Sequence, residues 1–393
     1  MYRFHVVALP HTQVTKDYLS CAYTQKVLNF CKMMTARGHK VFLYASEETD
    51  APVTEMITCI TKKEQQEHFG GVDTKKDFYP IVWDENLPYW KTMNTNAAAE
   101  IAKRRGPQDF LCLIGGVCQK PIADALPDML CVEFGIGYQG FFSDYKVFES
   151  YAWMHYGYGL NVGSSPAPEP GKNKRYENGQ AYDIVIPNYF DVNDFQEYEK
   201  EDYYLYIGRF IPRKGAHIAA ELCGKMGKKL IMCGQGVVSN ENGVIKGADM
   251  EISGPNITHV GSVGLKERAE LMGKAQAILC PTQYIEPFAG VHIEAMLSGT
   301  PVITTDWGVF TETVTNGFNG YRTRTLAEMM QAVRDIEAGK LDNRKIREYA
   351  IANYGLDRVG ELYQAYFDQL NTLWGMGWYD ETPLTDYKRY QKV

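Results

Sequence analysis

The chain lacks several things that would settle its class at once. Its 393 residues contain no uninterrupted apolar run approaching the ~18 that a membrane-spanning helix needs. There is no C-x-x-C pair, although nine cysteines are scattered at positions 21, 31, 59, 112, 118, 131, 223, 233 and 280. An odd number, mostly inside apolar runs such as Leu111-Cys112-Leu113, argues against a disulfide framework or a zinc site and for reduced cysteines in the core. Positive charge is not in excess: the formal net charge is −7, which gives no overall electrostatic case for nucleic acid or an anionic membrane. Tandem repeats, low-complexity tracts and the Walker pattern G-x-x-x-x-G-K-[ST] are also missing. Met1-Tyr-Arg-Phe-His5 runs straight into a strand-like segment, so no signal peptide is expected and the expected location is cytoplasmic.

What is present is ordinary globular material, 45% apolar and 23% charged, with length enough for two domains. Phe4 to Leu9 reads as a buried strand, Tyr23 to Ala36 as a helix with apolar spacing (Val27, Phe30, Cys31, Met34), and Lys40 to Ala45 as a second strand. This βαβ pattern predicts a parallel sheet covered by helices on both faces. Further strands are expected at Phe110 to Ile114, Met129 to Val132 and Tyr182 to Ile186. Residues 188–202, rich in Asp, Glu, Asn and Tyr, read as a linker. The alternation then restarts at Tyr203 to Ile207 and continues through Lys229 to Cys233, Ile257 to Val260, Ala277 to Cys280 and Pro301 to Thr304. Helices are expected between them at Ala216 to Lys225, Lys266 to Gly273 and Val291 to Ser298. The prediction is an α/β protein of two doubly wound, Rossmann-like domains, 1–187 and 203–367, with the tail 368–393 packing back on the first. Pro166 to Gln180 reads as a mobile loop. Ligands of open α/β sheets bind at the carboxyl ends of the strands, here along a cleft between the two domains.

Two segments carry chemistry. Gly208-Arg-Phe-Ile-Pro-Arg-Lys-Gly215 is a strand-to-helix turn holding Arg209 and Lys214, which suits a diphosphate or, equally, a solvated basic surface. In Glu286-Pro-Phe-Ala-Gly-Val-His-Ile-Glu294, two carboxylates flank the start of a helix. They can accept hydrogen bonds from the hydroxyls of a nucleotide sugar, or serve as a helix-start acid and an exposed helical glutamate.

Taken together with Ser298-Gly-Thr-Pro-Val-Ile-Thr-Thr-Asp-Trp-Gly308, the two segments resemble the family 4 retaining glycosyltransferases of GT-B architecture in motif, order and spacing. The resemblance covers roughly residues 183–367. It implies that Gly208, Arg209 and Lys214 hold the diphosphate of a nucleoside diphosphate sugar, with UDP- and GDP-sugars favoured as donors. It further implies that Glu294 binds ribose, that Glu286 contacts the transferred sugar, and that Phe288, Ala289 and Gly290 offer loop backbone. The usual glycine after E-P-F is Ala289 here, with glycine moved to 290. By the same resemblance the enzyme needs no metal and no permanently bound cofactor, and the acceptor attacks from the front face.

The first half matches less well. The glycine-rich loop of many relatives is replaced by Pro10-His11-Thr12-Gln13, and Glu133 stands where a family histidine is expected near the reacting carbon. Glu133 could orient an acceptor hydroxyl or stabilise positive charge, or it could brace a turn. Ten aromatics crowd residues 134–158, a run that fits sugar stacking, core packing or a subunit interface. From it Tyr138, Trp153 and His155 are candidate acceptor contacts, and His11 is a further one. The expected activity is sugar transfer to a glycan, lipid-linked or small-molecule hydroxyl. Three alternatives stand beside it: a hydroxymethylated DNA base as acceptor, a nucleotide-sugar epimerase or hydrolase, and a silent sugar-binding module.

Overall fold

The computed structural model describes residues 1–18, 21–70, 79, 81–163, 181–241, 243–379 and 381, without the side chains of 161–163. It divides into two compact units: Met1–Glu149, Met154–Tyr189 and Leu356–Val393 form the first, Ser150–Trp153 and Phe190–Gly355 the second.

Along the chain the first unit contains β1 (Arg3–Val7), α1 (Ala22–Ala36), β2 (Lys40–Ser46), β3 (Glu55–Ile60), α2 (Lys62–Phe69), α3 (Pro88–Arg104), β4 (Phe110–Leu113), α4 (Lys120–Ala125), β5 (Leu130–Ile136), β6 (Tyr145–Phe148), most of α5 (Tyr151–Gly163) and β7 (Ile184–Val185). The strands pair in the order β3-β2-β1-β4-β5-β6-β7, and every pairing is parallel. Helices cover both faces of such a sheet, so its central strands read as nearly continuous apolar runs; β4 is buried throughout.

The second unit contains β8 (Tyr204–Ile207), α6 (Ala216–Met226), β9 (Leu230–Cys233), β10 (Val237–Glu241), β11 (Val244–Gly247), β12 (Glu251–Ser253), β13 (Ile257–His259), α7 (Leu265–Lys274), β14 (Ile278–Cys280), α8 (Val291–Leu297), β15 (Val302–Thr305), α9 (Phe310–Thr313), β16 (Gly320–Thr323), α10 (Leu326–Glu337) and α11 (Asn343–Tyr354). Its parallel sheet runs β13-β9-β8-β14-β15-β16, and β10-β11-β12 form a separate antiparallel meander that the alternation of the sequence did not predict. In both sheets the strand order reverses beside the unit's first strand, between β1 and β4 and between β8 and β14. Loops leaving such a pair part company, which is why this point collects ligands in doubly wound sheets.

The final long helix, α12 (Leu356–Asn371), belongs to the first unit, whereas the sequence reading carried the second domain on to residue 367. Its inner face explains the difference. Phe367 lies 4.5 Å from Phe4 and 4.9 Å from Phe110 between ring centroids, so the stripe Val359, Tyr363, Tyr366, Phe367 and Leu370 is part of the first core. Periodicity marks an apolar stripe but not the sheet it covers. Residues 190–202, read as linker, fall inside the second unit. The expectation for Pro166 to Gln180, and that for tail residues 380 and 382–393, lie outside the described residues. All nine cysteines are free and eight are buried.

Candidate active site

The two sequence segments with chemistry turn out to be the loops that follow β8 and β14, the strands flanking the reversal of the second sheet. After β8 the chain turns through Gly208 and Arg209 into a 3-10 turn, Pro212–Lys214, before α6. Gly215 joins them at φ 76°, and a Cβ there would stand 2.1 Å from the Pro281 carbonyl oxygen, so only glycine lets the loops approach this closely. The backbones also meet directly, Gln283 N–H donating to the Arg213 carbonyl at 2.8 Å.

Lys214 and Glu286 are brought together by that approach. Lys214 Nζ lies 2.5 Å from Glu286 Oε1, with the lysine side chain 21% and the glutamate 6% exposed. Burial opposes the Lys214 charge, but Glu286 and Tyr284 outweigh it and hold the ammonium above its ordinary pKa. The carboxylate has two further donors: Tyr284 O–H on Oε2 at 2.8 Å and Thr282 O–H on Oε1 at 3.3 Å. The third segment is tied to the same place, since Thr305 O–H and Trp307 Nε1–H donate to the Thr282 carbonyl at 2.7 and 3.1 Å.

Glu294 and Arg209 act on side chains that this pair also acts on. The buried Cys280 thiol at the end of β14 is pushed up to about 12, by burial first, with Glu286 and Glu294 adding and Lys214 opposing. Burial likewise raises the Tyr206 phenol, Glu286 adds to it, and Arg209 opposes. Arg209 itself is exposed, and its carbonyl accepts from Tyr206 O–H at 3.1 Å. Glu294, on the first turns of α8, is ion-paired with Arg268 of α7, a partner that no motif announces.

The departure at Ala289 has a structural counterpart. Ala289 has φ 61°, in the left-handed region that glycine adopts freely and alanine does not. His292 holds it there: the Ala289 carbonyl accepts from His292 N–H at 3.2 Å and from the ring Nδ1 at 2.6 Å. Because a carbonyl only accepts, Nδ1 carries the proton and Nε2 accepts from Thr313 O–H at 2.8 Å. Burial keeps this imidazole neutral, lowering its pKa to about 4. Phe288 is buried in the core, and Gly290 caps α8.

The candidates from the first half are arranged differently. Glu133, on β5, is fully buried; Oε2 accepts from Phe142 N–H and Ser143 N–H, each at 2.7 Å, and Oε1 accepts from Tyr138 O–H at 3.1 Å. This is the turn-bracing arrangement, and it occupies both Glu133 and Tyr138. Burial raises the Glu133 carboxyl to about 7, against those hydrogen bonds. His11 is 2% exposed and, among the described residues, its Nδ1 has no hydrogen-bond partner; burial lowers its pKa to about 3, so it is a neutral imidazole. Trp153 is 8% exposed and groups with the second unit, where Tyr151 N–H and Ala152 N–H donate to the Glu312 carboxylate and Ser150 O–H donates to the Pro287 carbonyl. The sequence reading put Trp153 in the first domain, 1–187, whereas the structure groups Ser150–Trp153 with the second unit. His155 is exposed on α5. Of the aromatic run, Phe134 and Phe148 are core side chains with no exposure. Sequence reasoning gave no role to Tyr284, Thr282, Arg213 and Arg268; Arg213 lies inside the basic segment beside Lys214, and Tyr284 two residues before Glu286.

Residues 190–353 match the family described as Glycosyl transferases group 1, so this segment is a glycosyl transferases group 1 domain. Among curated relatives, the O-antigen chain mannosyltransferase RfbU of Salmonella typhimurium is 30% identical over 184 residues, 45% of this chain and 50% of that protein. The chain thus matches about half the length of that relative. The fold is GT-B. The glycosyltransferase AviGT4, involved in avilamycin A biosynthesis, superposes with a TM-score of 0.65 at 19% identity, over 95% of this chain and 98% of that one. Anabaena HepE in complex with UDP-glucose does so with a TM-score of 0.58 at 15% identity, over 95% and 100%. Among the described residues, no helix is long and apolar enough to cross a membrane.

Proposed function

We propose that the protein is a retaining glycosyltransferase of the family 4 type, moving a hexosyl group from a nucleoside diphosphate sugar to an acceptor hydroxyl. The observation that carries this reading is the Lys214–Glu286 pair at the reversal of a doubly wound sheet, inside the glycosyl transferases group 1 segment. Arg209 and Lys214 take the diphosphate. Glu286 accepts from hydroxyls of the transferred sugar, Glu294 from the ribose, and the backbone of Phe288 to Gly290 lines the loop. As the sugar C1–O bond breaks, its electron pair leaves with the diphosphate, whose growing negative charge the two cations stabilise. The acceptor oxygen bonds to C1 from the same face and its proton passes to the departing phosphate oxygen. These side chains supply the charge that a metal would otherwise supply, so transfer should survive a chelator. UDP- and GDP-sugars are the favoured donors, a choice supported by the UDP-glucose bound to HepE. The first unit is assigned the acceptor, and the nine unpaired cysteines support a reducing, cytoplasmic setting.

A panel of UDP-, GDP-, ADP-, CDP- and TDP-sugars, read by thermal shift and by donor hydrolysis with and without EDTA, tests the proposal. Stabilisation by one nucleotide that Lys214→Ala abolishes is the expected result. A chain that none of them stabilises would sink the donor site.

A further inference from the structure

Lys214 and Glu286 are already spent on each other, and a donor asks both to change partners. The ammonium must turn to the diphosphate, leaving behind a carboxylate whose side chain is 6% exposed. A buried charge that loses its partner is costly unless other hydrogen bonds hold it. Two hydroxyls are in place to do so, and the shorter contact is from Tyr284, 2.8 Å from the oxygen that Lys214 does not use. Both neighbouring cations lie over the same ring: the Arg213 guanidinium carbon is 4.6 Å and the Lys214 ammonium 5.3 Å from its centroid. Cations are attracted to such a ring whatever else they bind, so it steadies them while their ionic partners change. The Gln283 N–H bond to the Arg213 carbonyl keeps ring and guanidinium in register.

We infer that Tyr284 is a positioning residue that lets Lys214 change partners: its hydroxyl holds Glu286 in place while its ring retains the cations as the ammonium moves to the donor diphosphate. The inference rests on the donor-site reading above and adds to it a residue outside the segments that revealed the site. It gives two variants of opposite sign. Tyr284→Phe keeps the ring but removes a hydrogen bond to a charged group, leaving Glu286 dependent on Lys214. The pair then locks, and nucleoside diphosphate affinity falls by about tenfold, with the donor KM rising more than kcat falls. Glu286→Gln removes the competing charge, so the free nucleoside diphosphate binds several-fold tighter even though transfer collapses. A tyrosine that only supported the loop would alter melting without this split.

Calorimetric titration of the full chain with UDP, GDP, ADP, CDP and TDP, on wild type, Lys214→Ala, Tyr284→Phe and Glu286→Gln, decides the matter, with melting recorded in each case. Weaker binding in Tyr284→Phe and tighter binding in Glu286→Gln are expected. Binding lost in Lys214→Ala but unchanged in Tyr284→Phe would overturn this inference alone, as would weaker binding in Glu286→Gln. If no nucleotide binds the wild type, the donor site itself falls and the inference with it. Should Tyr284→Phe fail to fold, weaker binding in Glu286→Gln would still overturn the partner exchange on which the inference rests.

Discussion

The same topological position is built in two chemistries within one chain. In the first unit, the loop after β1 is joined to the loop after β4 by the buried amide of Gln119. Its Oε1 accepts from Ile114 N–H and Gly115 N–H at 3.0 and 2.8 Å, and its Nε2 donates to the Ala8 carbonyl at 2.9 Å. In the second unit, the corresponding loops after β8 and β14 are joined by an ion pair, the half-buried Lys214 with the buried Glu286. An amide whose donors and acceptor are satisfied by backbone has nothing left to offer a ligand. A charged pair bound side chain to side chain can exchange one partner for a phosphate or a hydroxyl. Topology marks the place, and side-chain chemistry decides whether the place is a brace or a site.

The largest effect that would break this comparison is on turnover. Lys214→Ala should lower sugar transfer by roughly a hundred- to a thousandfold, the loss usual when one group stabilising a developing negative charge is removed, with little change in melting temperature. Initial rates with the donor found by the panel give the answer, and near-wild-type turnover would refute the contrast. The mirror experiment in the first unit reads stability. Glu133→Ala strands the buried Ser143 N–H and the part-buried Phe142 N–H and should cost about 3 kcal/mol in urea unfolding; an unchanged midpoint would mean that Glu133 is no brace.

The pH dependence sharpens the same point. Burial raises the Glu133 carboxyl from 4.5 to about 7 in the fold. Between those values the folded protein keeps a proton that the unfolded chain has lost, so this group makes stability fall as pH rises, by up to about 3 kcal/mol, and level off above 7. Urea titrations across that window should show the decline in wild type and a shallower one in Glu133→Gln; parallel curves would remove the assignment. The smallest effect belongs to the site loop. Ala289→Gly relieves a left-handed alanine, offset in part by the added freedom of the unfolded chain, and should stabilise by up to about 1 kcal/mol. A destabilised Ala289→Gly would show that the side chain matters more than the backbone strain.

Much of the fold is legible in the sequence alone. The strand at Lys40, the helix stripe Val27, Phe30, Cys31 and Met34, and the restart at Tyr203 are local signals, each set by a period of apolar residues within a few turns of chain. The loops that hold Arg209, Lys214, Glu286 and Glu294 were legible because glycine and proline fix the turns around them. The meander β10-β11-β12 was not, because strands this short with exposed faces leave little periodicity.

The sequence by itself determined the alternating strands and helices of the two parallel sheets, the doubly wound class and the charged loops, since backbone propensity and apolar spacing act over neighbouring residues. Only the tertiary structure decided which sheet α12 covers, that Glu133 is spent on a turn, that Arg268 answers Glu294, and that Tyr284 touches both halves of the Lys214–Glu286 pair. Those facts join residues far apart in the chain or depend on the direction of a side chain. Both are fixed by packing against elements whose positions no local pattern encodes.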